Sequence, residues 1–218
     1  MYRDRATIIH LDSATERLPL LAAIQETLPC HVDIFSAKDG VDWSKSNVIA
    51  KTHPWTKTPV KIGELGCAQS HLCILEMALK AGEKRILIFE DDCELLGTSE
   101  EISAFLENAP EKWDILLLGA NEYVEYSLLD TYVKVGRFWG THAMVLSMRA
   151  MAAAIQVFTD AQAKGEFLPA DWMYNEAIKK MKLSCYAPKK PDALCRQKPG
   201  LVSAINGKIR NAPSQLPS

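Results

Sequence analysis

No stretch of these 218 residues approaches the roughly 18 consecutive apolar residues that a membrane span needs. Contact with a membrane is therefore expected to be peripheral at most. The N-terminal segment, Met1 to His10, has no apolar run of the kind a secretory signal carries. An excess of one charge is also missing: 25 Lys and Arg stand against 27 Asp and Glu, for a net charge of −2. That excludes the basic footprint of a nucleic-acid binder. No low-complexity tract and no internal repeat interrupts the chain. The six cysteines form no CxxC pair and no Cys/His spacing that fits zinc. They read as reduced, mostly buried thiols of a cytoplasmic protein, with a Cys185–Cys195 bridge across a loop as the alternative.

What is present is an alternation of strand and helix signals, expected to build one α/β domain over residues 1–218. Residues 7–11 form a β-branched run. Ser13-Ala14-Thr15-Glu16 reads as a capping box opening a helix to about Leu28, with Pro19 bending its first turns. Residues 31–35 read as a second strand and 41–61 as a long loop carrying Trp43 and Trp55. Leu65, Ala68, Leu72, Leu75 and Leu79 recur at helical spacing, and Ala81-Gly82 ends that helix. Strands are expected at 85–89, 114–118, 132–135, 143–147 and 183–186. Helices are expected after Thr98 and over 149–159 and 171–181.

Four features carry chemistry. In Ile86-Leu87-Ile88-Phe89-Glu90-Asp91-Asp92, three acids stand at the C-terminal end of an apolar strand. Ligands bind at that edge of open α/β sheets. Adjacent carboxylates repel one another, and a hard divalent cation, Mg²⁺ or Mn²⁺, offsets the cost while bridging to substrate phosphates. The other reading is a solvated turn. In Gly63-Glu64-Leu65-Gly66-Cys67-Ala68-Gln69-Ser70-His71, Glu64 and His71 lie two helical turns apart on one face. They either line a pocket or form an exposed helix edge. Asp171-Trp172 opens a helix, where the dipole alone favours an acid; the functional reading is a general base beside an aromatic platform for a sugar ring. Gly140-Thr141-His142 precedes a strand and can bring His142 to the same sheet edge.

In this order the pieces resemble glycosyltransferase family 25, which includes bacterial lipopolysaccharide galactosyltransferases and collagen galactosyltransferase domains. The resemblance runs through Ile8-Ile9-His10-Leu11 with Arg17, Ala37-Lys38-Asp39-Gly40, the Gly63–His71 motif, Glu90-Asp91-Asp92, Trp113 to Gly119, Gly140-Thr141-His142-Ala143, Asp171-Trp172, Gln197 and Ser203-Ala204-Ile205. His10 stands where the family usually has Asn.

The resemblance implies a GT-A-type, Rossmann-like nucleotide-sugar-binding fold with a mixed central sheet. It implies inverting transfer of a hexose, galactose or glucose, from a UDP-sugar to a glycan hydroxyl, with Mn²⁺ or Mg²⁺ as cofactor. The acceptor is expected to be an oligosaccharide or lipid-linked glycan of lipopolysaccharide, lipooligosaccharide or capsule synthesis. Asp92, with Glu90 and His142, is then the expected metal set. Leu11, Arg17, Ala37, Asp39, Gly40, Ser70, His71, Glu90, Asp91, Gln197 and Ser203 are expected on the donor side. Asp171 is the expected base and Glu64 its reserve. Two rival readings stay open: a relative that binds nucleotide-sugar or glycan without transfer, and a receiver-like Mg²⁺-binding signalling module built on the strand of residues 86–92.

Overall fold

The computed structural model describes residues 5–45, 52–54, 57–128 and 131–203. The elements run β1 (Ala6–His10), α1 (Leu18–Thr27), β2 (Val32–Ser36), α2 (Gly40–Ser44), α3 (Ile62–Lys80), β3 (Arg85–Glu90) and β4 (Cys93–Leu95). There follow α4 (Ser99–Glu107), β5 (Ile115–Gly119), β6 (Glu122–Leu128), β7 (Tyr132–Trp139), β8 (Ala143–Ser147), α5 (Met148–Ala163), α6 (Ala170–Met181), β9 (Cys185–Pro188) and β10 (Cys195–Gln197). Eight strands form one sheet in the order β2-β1-β3-β8-β5-β9-β7-β6, and β4 pairs with β10 in a separate ribbon. β2, β1 and β3 are parallel, whereas β8 runs antiparallel between β3 and β5. This is the expected α/β class with a mixed central sheet. It departs from the all-parallel sheet of a receiver.

Successive side chains on a strand point to opposite faces, and both faces here are covered, which is why the central strands read as continuous apolar runs. Ile86 and Ile88 of β3 pack with Ile115, Leu117, Met144 and Leu146 beneath α3, α5 and α6. Leu87 and Phe89 pack the other way, with Leu116, Leu118 and Val145, against Leu21 and Ile24 of α1 and Ile102 and Phe105 of α4. Each fully buried Leu, Ile or Phe contributes about 1.5–3 kcal/mol.

Several local expectations need correction. No capping box forms at Ser13: Thr15–Arg17 makes one 3-10 turn without a side-chain cap, and α1 begins at Leu18. Pro19 therefore lies in the first turn, where a missing N–H costs nothing, and bends no helix. Among the described residues, the expected loop 41–61 holds most of α2 and a bridge between Thr52 and Pro59. Trp55 lies outside the described residues, as do Ala204 and Ile205. At Thr98 the capping box does form: its hydroxyl accepts from Glu101 N at 3.2 Å, and Glu101 accepts from Thr98 N at 2.8 Å. All six cysteines are free, Cys185 and Cys195 included. Among the described residues no helix is long and apolar enough to cross a membrane.

Candidate functional site

The C-terminal ends of the parallel strands β1, β2 and β3 open into a cavity of about 600 Å³. Of the residues expected on the donor side, Leu11, Arg17, Ala37, Asp39, Gly40, Ser70, Glu90 and Asp91 line it, together with Asp92. Backbone packing sets one wall. A Cβ on Gly40 would lie 2.0 Å from Ile62 O, and one on Gly66 would lie 2.4 Å from Lys38 O. Only glycines allow α2 and its preceding turn to sit this close to the start of α3. Ser70, fully buried, donates to Gly66 O at 2.7 Å and accepts from Lys38 N at 2.9 Å, so it pins the 37–40 turn to the helix. Asp39 accepts from Val41 N at 2.9 Å and turns the chain into α2.

The three acids diverge in role. Asp91 is 5% exposed and is consumed by structure: it accepts from Leu11 N at 2.9 Å, contacts His10 Nδ1 at 2.9 Å and pairs with Arg17. Arg17 also donates to Val202 O at 2.7 Å, tying the segment after β10 to the cavity wall. Its pKa is moved by opposing causes: burial lowers it, and the charges of Asp91 and Asp92 raise it more. Asp92 is 3% exposed and lines the cavity beside Glu90. Gln197 Nε2 lies 3.4 Å from its carboxylate, and Lys198 N donates to its carbonyl at 2.7 Å. These contacts come from the β4–β10 ribbon, in which Gln197 stands opposite Cys93. Buried carboxylate oxygens on a cavity large enough for a nucleotide fit a hard divalent ion.

A second cavity of about 280 Å³ adjoins the first, and Glu90 and Cys67 line both. Its walls include Glu64, Asn121, Trp139, Thr141, Asp171, Gln197 and Ser203. Asp171 accepts from Trp172 N at 2.8 Å. Burial pushes its carboxyl above the usual range and the charge of Glu90 adds to this, against the pull of backbone N–H donors. Glu64 is committed elsewhere, accepting from Lys61 N at 2.8 Å as the first-turn cap of α3 and meeting His53 Nε2 at 3.1 Å. The aromatic wall is Trp139, which sequence reading missed although it adjoins the Gly140-Thr141-His142 motif. Trp172, the expected platform, stacks on the Arg137 guanidinium at 4.3 Å and lines a different cavity.

His71 and His142 line neither cavity, and both are fully buried. His71 sits behind Glu90, with Nε2 3.4 Å from Glu90 Oε1 and Nδ1 3.0 Å from Tyr174 OH. Thr141 also donates to Glu90 Oε1. Burial pushes the Glu90 carboxyl up, but hydrogen bonding and charge from His71, then Thr141 and His142, hold it at about 2. His142 packs beside Cys195: a Cβ on Gly119 would lie 2.7 Å from His142 Nε2 and 2.8 Å from Cys195 Sγ.

A model of glycosyltransferase family 25 (LPS biosynthesis protein) matches residues 4–139. A glycosyltransferase 25 family member of Anopheles gambiae is 30% identical over 93 residues, 39% of this chain. The aligned segment spans 16% of that relative's length. Among solved structures, the apo-form glycosyltransferase GlyE of Streptococcus pneumoniae has a TM-score of 0.49 at 8% identity, covering 85% of this chain and 45% of its own. A Drosophila galactosyltransferase 7 variant complexed with manganese, UDP-Gal and xylobiose has a TM-score of 0.48 at 10% identity, covering 90% and 71%.

Proposed function

The chain belongs to glycosyltransferase family 25, and from that premise we propose that it transfers a hexose, galactose or glucose, from a UDP-sugar to a hydroxyl of a glycan acceptor with inversion. The observation that carries this reading is the junction of two cavities at Glu90: Asp92 borders the larger and Asp171 the smaller. The larger holds the nucleotide. Leu11 and the 37–40 turn bound its nucleoside end, and the acidic strand end meets the diphosphate. The residues that would hold the metal are Asp92 and Glu90, with His142 behind them; a divalent ion bound there would neutralise charge on the departing diphosphate.

The acceptor enters the smaller cavity, where the Trp139 ring offers a face for the sugar. Asp171 takes the proton of the attacking hydroxyl, whose oxygen bonds to the anomeric carbon as the bond to the diphosphate oxygen breaks. A carboxyl with a raised pKa suits this work better than Glu90, which is held strongly ionised. Gln197 contacts the diphosphate, and Ser203 closes the acceptor side. The proposed acceptor is an oligosaccharide or lipid-linked glycan of lipopolysaccharide, lipooligosaccharide or capsule, met at the cytoplasmic face of a membrane.

Calorimetric titration with UDP, UDP-galactose and UDP-glucose, with Mn²⁺ or with EDTA, tests the donor assignment. Metal-dependent binding is expected for the wild type and is lost in Asp92→Asn. Absence of binding to all three, by folded protein with metal, overturns it.

A further inference from the structure

Cys67, His71 and Glu90 converge from two elements that lie apart in sequence. Cys67 and His71 are four residues apart on α3, so both project from one helix face. Glu90 reaches them from the end of β3. One ligand-type atom from each lies within 4.8 Å of the other two. The contacts are poor as hydrogen bonds: Cys67 Sγ to Glu90 Oε1 is 3.9 Å, and His71 Nε2 to Glu90 Oε1 is 3.4 Å. They are close to the ~3.3–3.8 Å edges of a tetrahedron built from Zn–S and Zn–N or Zn–O bonds of ordinary length.

We propose that Cys67, His71 and Glu90 form a second cation site, specific for a thiophilic divalent ion of the Zn²⁺ class and adjoining the hard-ion position at Asp92, with Glu90 common to the two. The outer hydrogen bonds are those a zinc ligand set uses. Tyr174, fully buried, holds His71 Nδ1 at 3.0 Å and so orients Nε2 toward the ion. The Thr141 hydroxyl donates to Glu90. A thiolate, a carboxylate and a neutral imidazole balance a divalent ion exactly in charge, and sulfur with nitrogen selects Zn²⁺ over Mn²⁺ or Mg²⁺. His71 closes the inner side, while Cys67 and Glu90 line both cavities. A fourth, exchangeable ligand would therefore enter from the cavity junction. The sequence shows no zinc-type spacing because the third ligand comes from another element.

Co²⁺ titration of the full chain, read by electronic absorption, tests this assignment without reference to transfer activity or nucleotide binding. The expected result is a thiolate-to-cobalt charge-transfer band and tetrahedral d–d bands saturating at one equivalent, bleached by Zn²⁺, retained in Asp92→Asn and absent in Cys67→Ser. Zn²⁺ is also expected to raise the melting temperature of the wild type and not that of Cys67→Ser. His71→Gln, which keeps the thiol, is expected to weaken Co²⁺ binding. Absence of the charge-transfer band in folded wild type overturns the proposal. So does its persistence in Cys67→Ser, which assigns the thiolate to another cysteine, or its loss in Asp92→Asn, which merges the two sites. Failure of the donor assignment leaves all of these readouts unchanged.

Discussion

At the scale of single residues, Asp171 and Glu64 offer the sharpest contrast. Both acids line the smaller cavity, but Glu64 is tied to Lys61 N and His53, whereas burial raises the Asp171 carboxyl. Asp171→Asn is expected to lower kcat by about 10²–10⁴-fold, the usual contribution of a positioned base, with UDP binding within a few-fold of wild type. The acid limb of the kcat profile should lie above the ordinary carboxylate range in the wild type and vanish in the variant. Glu64→Ala removes the α3 cap instead. It is expected to cost about 1 kcal/mol of stability in thermal melts while kcat changes by less than tenfold. A kcat collapse in Glu64→Ala with intact Asp171→Asn activity would reverse the assignment. The sequence set Asp92, Asp171 and Gln197 in ordered motifs, and all three line one of the two cavities. It gave no separate role to Trp139 or Cys67, which join the cavity walls through neighbours on other elements.

At the scale of elements, legibility follows the amount of buried apolar surface. β3, β5 and β8 are buried on both faces and read as strands from their apolar runs. β4 and β10 span three residues each, too few to show a period. β6 is one edge of the sheet, with Glu122, Val124 and Glu125 exposed, so its pattern is polar. The α2–α3 contact was hidden for another reason: its signal is the absence of side chains at Gly40 and Gly66. Gly40→Ala places a methyl against Ile62 O and Gly66 N, with backbone unable to rotate aside. Chemical denaturation is expected to show a loss of at least about 1–3 kcal/mol. UDP binding should weaken in parallel, because the displaced turn forms the cavity wall. Gly82→Ala is the control. Its Cβ would meet nothing within 4 Å, and only the left-handed φ of +74° opposes it, at about 1 kcal/mol and without effect on UDP.

At the scale of the whole molecule, the strand order could not be read along the chain. β8 enters between β3 and β5 from more than 20 residues downstream, and β10 returns to cover the acidic strand end. Both placements serve Glu90: Thr141 and His142 precede β8, and Glu90 N donates to His142 O at 2.9 Å. Glu90 is therefore where α3, β3, β8 and both cavities meet, and its ionisation should be felt by the global stability. Its folded pKa, about 2, lies below the unfolded value of about 4.5. The stabilisation tied to its charge is then fully present above pH 4.5 and is lost as pH falls toward 2. Glu90→Gln keeps the shape but abolishes that titration. The stability gap between wild type and variant, from denaturant melts, should be constant from pH 7 to about 5 and narrow steadily below 4.5. A gap independent of pH down to 3 would mean that His71 and Thr141 hold the side chain by hydrogen bonding alone, without favouring the charged form.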